Sequence, residues 1–310
     1  MAERAAGNVY YGGQAVIEGV MIRGPRQMAI AVRAPDGQIV TRAQRLTGIY
    51  AGPLRRLPVV RGIVVLYETL ALGIRALTWS SQVAGGRDAE DVSAPQIWLT
   101  LGVTLAFVGA VFFAGPVLLT GWIGEIAGTH YAEVAAEGVL RLAMLVGYIW
   151  LIGRMEDVRR VFAYHGAEHR TIHAYEHGEP LTADAVRRFP NAHPRCGTAF
   201  LLTVMVISLV VFIALGTPPI WVRLVERLAL IPVIASFAYE VLRLGQAWGD
   251  NPLMRVVYAP NIWLQKLTTR DPDAAQIEVA IAALEGALRI EPEVAADVPP
   301  AAIQAEEPLA

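Results

Sequence analysis

Long apolar runs dominate the middle of the chain and predict helices that cross a bilayer. Ile97 to Ile123 carries no charge, which exceeds the ~20 apolar residues that traverse a hydrocarbon core of ~30 Å. Val139 to Gly153 carries only Arg141 near its start, where a long side chain can snorkel to the headgroups. Ala199 to Gly216 is uncharged and rich in Val, Leu and Ile, and Leu228 to Leu242 holds Glu240 close to its end, just before Arg243. About four transmembrane helices are therefore expected. Val59 to Ala84 is different, because Arg61, Glu68 and Arg75 recur every seventh residue and share one helical stripe. That pattern predicts an amphipathic interfacial or re-entrant helix.

Outside the spans the signals are shorter. Ala29 to Arg33 and Gln38 to Thr41 flank Pro35-Asp36-Gly37, a turn between two strands. Ala274 to Leu288 has helical periodicity and predicts a short amphipathic helix, with Asp271 as a candidate cap near Pro272. The residues after Glu285 are rich in Ala, Pro and Glu, a composition that predicts disorder.

Composition agrees with a membrane protein. Hydrophobic residues make up 55% and charged residues 17%, against about a quarter charged in soluble domains, and the mean hydropathy is +0.43. A net charge of -2 excludes a general affinity for nucleic acid. The single cysteine, Cys196, excludes an intramolecular disulfide and suits a reducing face or a metal ligand. Met1 to Gly13 lacks the apolar core of a signal peptide, so the first span is expected to act as the insertion signal. Nine arginines precede Ile63, Trp122 to Leu140 contains no Lys or Arg, and seven arginines lie from 154 to 195. The positive-inside rule then puts the N-terminal part, the 154–198 loop and the C-terminal part on the cytoplasmic side of the inner membrane.

The expected organisation is a mainly α, polytopic helical membrane protein with a small N-terminal β element. It runs from a cytoplasmic segment with a Gly-rich motif and a hairpin (1–58) to the amphipathic helix (59–84) and a first transmembrane pair (97–153). A cytoplasmic His-rich helix and loop (154–198), a second transmembrane pair (199–247), a cytoplasmic C-terminal segment (248–288) and a disordered tail (289–310) complete it.

Chemistry concentrates in the loop. His165, His169, His173 and His177 are spaced by four, so on a helix each turns about 40° from the last and rises about 6 Å. Side chains at this spacing meet on one face. His165-Gly166-Ala167-Glu168-His169 has the H-x-x-E-H pattern, repeated by His173-Ala174-Tyr175-Glu176-His177. In metallopeptidases with this pattern the histidines bind zinc and the glutamate is the base. His165 and His169 are thus candidate ligands of a divalent metal, zinc by its donors, and Glu168 the candidate base. His173, His193 or Cys196 would supply a further ligand. The same stripe also suits a proton-linked cluster or a plain polar face. Glu240, Glu176 and His177 are candidate supporting groups. Glu18 and Arg23, beside Gly12 and Gly13, would complete the site or pair with each other, and the glycine-rich stretch itself reads as a turn.

The long motifs Tyr11 to Pro25, Tyr164 to His169, His193 to Thr198, Leu264 to Arg270 and Gln276 to Ala280 resemble the bacterial family of uncharacterised membrane proteins typified by YqhQ. The resemblance implies an integral membrane protein with a metal-dependent activity and brings no substrate. The functional expectation is a membrane-embedded metal-dependent hydrolase acting among membrane lipids on a peptide or lipid-linked substrate. The alternatives are a non-enzymatic scaffold with a structural metal, or a metal or proton transporter. The nearly bare middles of the spans weigh against the transporter.

Overall fold

A computed structural model describes residues 11–46, 57, 60–86, 94–193, 196–247 and 252–289. The expected disordered tail lies almost wholly outside them. Four strands open this part of the chain: β1 (Gly12–Val16), β2 (Gly19–Arg23), β3 (Gln27–Arg33) and β4 (Ile39–Arg45), an antiparallel meander in that order. The helices are α1 (Val60–Gly85), α2 (Ala94–Gly109), α3 (Gly115–Ala127), α4 (His130–Ile152), α5 (Glu156–Glu176) and α6 (Ala183–Val186), followed by α7 (Thr198–Leu215), α8 (Ile220–Ala229), α9 (Ile231–Ala247), α10 (Pro252–Thr268) and α11 (Ala274–Arg289).

The β3–β4 hairpin is the one expected from the turn residues. Gly37, at φ +85°, takes the left-handed position, and the Asp36 carboxylate accepts from the Gln38 N–H. The glycine-rich motif is not a turn. It forms β1 and β2, paired from Gly12↔Arg23 to Val16↔Gly19. Strand alternation is hidden there because helices cover both faces of the sheet, and such strands read as unbroken apolar runs. Val20, Ile22, Ala29 and Ala31 pack in a core with α5 and α11, whereas Val16, Met21, Met28, Ile30 and Val32 pack against Leu72 and Ala76 of α1.

Among the described residues three helices are long and apolar enough to cross a membrane: Trp98–Ile123, His130–Ile152 and Thr198–Leu215. The first joins α2 and α3 through a π-helical turn, Ala110–Ala114. At most 22% of any of these windows is buried, an exposure of apolar surface suited to lipid contact rather than water. The expected fourth span falls almost wholly in α9, which is not among these three. The chain breaks at Leu230 into α8 and α9, and the 17 residues of α9 extend only about 26 Å.

The spans are also not bare. α4 begins nine residues before Val139, capped by the Thr129 hydroxyl, which accepts from the Tyr131 N–H, and so brings in Glu133 and Glu137. Glu137 accepts from Arg141 at 2.5 Å and from Arg227 of α8 at 3.0 and 3.2 Å. Glu133 pairs with Arg223. Arg227 lies 3.7 Å over the Phe212 ring of α7. These pairs clamp α8 to the start of α4.

α1 ties this bundle to the sheet. Arg61 and Glu68 do not lie on a solvated stripe. Arg61 is bound by Glu240 of α9, and Glu68, fully buried, by Arg23 of β2 at 2.7 Å. Glu240 is therefore a partner of Arg61. Arg75 is exposed, and so are the large apolar residues Val60, Ile63, Tyr67, Leu70 and Leu77, which recur at helical spacing. On α11 the cap is Asp273, not Asp271. The Asp273 carboxylate accepts from the Gln276 N–H at 2.7 Å and the Gln276 side chain accepts from the Asp273 N–H at 3.0 Å, a reciprocal box. Asp271 instead accepts from Arg170 and Asn191.

Candidate metal centre

α5 starts with Glu156 and Asp157 in its first turn, a placement its dipole favours, and presents His165, His169 and His173 inward. The stripe does not converge on one point. His165, His169 and Cys196 bring ligand atoms within 4.8 Å of one another, and His173, Glu176 and His193 form a second such group. His177 is exposed and its Nδ1–H donates to the His173 carbonyl at 2.8 Å, so it joins neither.

The first group is built for a cation. The His165 Nδ1–H donates to the Thr268 carbonyl at 2.9 Å, and the His169 Nδ1–H donates to the Asn191 carbonyl. These bonds leave Nε2 of each ring as the electron-pair donor, the arrangement by which backbone carbonyls orient metal-binding imidazoles. The His165 Nε2 lies 3.2 Å from the Cys196 sulfur. The His169 Nε2 is buried without a hydrogen-bond partner. An orphaned ring nitrogen in a residue 1% exposed carries a desolvation cost that a bound cation would remove. Two imidazoles and a thiol fit Zn²⁺ by donor type.

Glu168 directly precedes His169 on the helix. Its carboxylate stands 3.9 Å from the His165 Nε2 and accepts from the Gly13 N–H. A Cβ on Gly13 would lie 2.7 Å from Glu168 Cγ, so glycine lets β1 close over the carboxylate. A Cβ is present at the neighbouring positions of α5 but not at Gly166, where it would meet the Arg270 carbonyl at 2.2 Å.

A cavity of about 380 Å³ opens on this group, lined by Gly13, Gln14, Arg23, Thr69, Glu168, His169, His193 and Cys196 among others. The N-terminal motif, α5 and the His193–Cys196 loop, far apart in sequence, thus share one wall. Arg23 lines the cavity while held by Glu68. Glu18 stands elsewhere, at the β1–β2 turn with φ +50°, where Arg160 donates to it at 2.7 and 2.5 Å and Tyr164 at 3.3 Å. Glu18 and Arg23 therefore do not pair, and Glu18 fastens the sheet to α5. Glu240 lies on the α1–α9 contact, outside both groups.

Burial governs the titration. It pushes the Glu168 carboxyl up from 4.5 to about 7, opposed by His165, reinforced by Cys196 and opposed by the Gly13 hydrogen bond. Burial also holds His193 down at about 4 and His169 well below 6.5, and pushes the Cys196 thiol up against two hydrogen bonds from Thr198. For metal-free protein the signs follow from which state binds protons better. Both histidines are depressed, so the stability they allow is lost as pH falls through 6.5. Glu168 is raised, so its contribution is present near 4.5 and is lost as pH rises through about 7. Two histidines outweigh one carboxyl between 4.5 and 6.5. The thermal midpoint of chelator-treated protein should rise across that window, and a midpoint that falls steadily there would contradict these environments.

Several positions that hold the site could not be singled out from the sequence. Thr268 and Asn191 act through backbone carbonyls and Gly13 through its N–H, which residue type alone cannot signal. Gln265 is similar. Its side chain accepts from the His193 N–H at 2.8 Å and donates to the His193 carbonyl at 3.0 Å, fixing the loop.

Residues 57–290 match the family described as "Protein of unknown function (DUF1385)". The chain is 35% identical over 295 residues to the uncharacterized protein YqhQ of Bacillus subtilis (strain 168), covering 91% of this chain and 93% of that protein. No solved structure matches.

Proposed function

The chain belongs to the DUF1385 family, and from that premise we propose that it is a membrane-embedded, metal-dependent hydrolase whose site faces the cytoplasm. One observation carries the reading: an enclosed carboxylate, Glu168, beside the His165, His169 and Cys196 donor group in a cavity wide enough for a small substrate group. Zinc bound by those three residues would supply Lewis-acid polarisation of the scissile group and of water. Glu168 takes the proton from the attacking water and returns it to the leaving group. Its raised proton affinity suits both roles near neutral pH. The Gly13 N–H holds the carboxylate in place, and Arg23, half-buried on the cavity wall, favours an anionic substrate group.

The substrate is a peptide or a lipid-linked molecule drawn from the inner leaflet. Supporting this, Thr69 and Leu72 of α1 line the cavity, and the exposed apolar stripe of Tyr67 and Leu70 belongs to the same helix. The chain makes four crossings in this reading. α8 sits at the start of α4 through Arg223–Glu133, whereas α11 packs on the sheet with α5, so α9, though short, must carry the chain back.

Metal analysis tests the reading. His165→Ala and His169→Ala should each lower the zinc content of purified protein by about one equivalent. Unchanged metal in both variants would remove it. A scaffold with a closed structural site makes a different demand: the absorption spectrum of cobalt-loaded protein would not respond to added anions.

A further inference from the structure

We propose that the histidine belt holds a second divalent cation, bound by His173, Glu176 and His193. Its binding is independent of the proposed hydrolysis, although its place beside that chemistry rests on it. The three side chains bring their ligand atoms within 4.8 Å of one another. Two of them come from one face of α5, three residues apart. The third arrives from the loop, where the paired hydrogen bonds with Gln265 pin its backbone. The His193 Nε2 stands 3.4 Å from the Glu176 carboxylate. That is long for an N–H···O bond and matches the ligand-to-ligand edge, about 3.4 Å, of a tetrahedron with bonds of about 2.1 Å. The His173 Nε2–H donates to the Ala192 carbonyl at 2.9 Å, which makes Nδ1 the donor atom and repeats the carbonyl orientation found at His165 and His169.

The two groups adjoin. Ring centroids are 4.3 Å apart for His165 and His169, 5.7 Å for His169 and His193, and 4.4 Å for His173 and His193. One group offers two nitrogens and a sulfur, the other two nitrogens and a carboxylate oxygen. The sulfur-free set accepts harder divalent ions than its neighbour.

The difference in donors makes the test specific. Full-length protein in detergent is stripped with a chelator and titrated with Co²⁺, following stoichiometry and the near-ultraviolet thiolate-to-cobalt absorption together. Wild type should bind two equivalents, only one of which brings up the thiolate band. His173→Ala and Glu176→Ala should each keep the band and reduce binding from two equivalents to one. Cys196→Ser should lose the band and keep the second equivalent. Elution volume and thermal midpoint establish that each variant is folded, and Glu176→Gln serves where Glu176→Ala is not. One equivalent in wild type that brings up the thiolate band, or two in folded His173→Ala and Glu176 variants, would overturn the proposal. A missing thiolate band with the sulfur-free equivalent retained would count against the His165 group and support this one.

Discussion

Glu168→Gln should abolish detectable turnover while the metal content stays at the wild-type level. A positioned general base contributes about 10²- to 10⁴-fold, and no other carboxylate stands as close to the His165 and His169 group among the described residues. The amide is nearly the same size, and its oxygen can still accept from the Gly13 N–H, so β1 and α5 should remain closed on each other. What it cannot do is take up a proton, a capacity that burial tunes to about 7 in the carboxyl. The comparison is hydrolysis of peptide and phosphoester panels by zinc-loaded wild type and variant, with zinc measured on the same samples. Turnover within threefold of wild type would withdraw the base assignment and leave the metal site intact.

Glu137→Ala should be among the most destabilising single changes in the helical bundle, by about 3–5 kcal/mol, because it strands buried charge. Glu137, 1% exposed, is the shared acceptor of Arg141 and Arg227, which are themselves 2% and 0% exposed. Without it, two guanidinium groups share an apolar pocket with Phe212 and no carboxylate between them. The thermal midpoint in detergent and the yield of monodisperse protein read the effect. Glu285→Ala is the control, since its contact with Arg289 is largely exposed and such pairs contribute little. Equal midpoints for the two variants would mean that the α4–α8 clamp does not hold the bundle.

The long helices and the gathering of the histidines on one helix were legible from the chain itself. Apolar runs such as Ile97 to Ile123 and the four-residue histidine spacing are local patterns, and local patterns survive folding. The two-fold division of the stripe was not legible, because it depends on where Asn191 and His193 come against α5, and these are held by Asp271 and Gln265 some seventy to eighty residues later. β1 and β2 were lost for another reason: their glycines weaken the strand signal, and burial on both faces removes the alternation. Glu133 and Glu137 were missed because apolarity alone places the start of a span at Val139, whereas the Thr129 cap places it at His130.

The core under the sheet joins strands from the first fifty residues to α11, with Ile22 and Ala29 against Ile277, Ala280 and Leu284. On the ribosome, β4 is complete some 229 residues before α11 begins, and at about 5–20 residues per second that interval lasts roughly 10–50 s. Throughout it, the part of the meander's face that α11 covers waits exposed while the hydrophobic helices enter the bilayer. The sheet that carries the cavity wall gains its last covering helix only with α11, so its full packing is deferred until translation of that helix is finished.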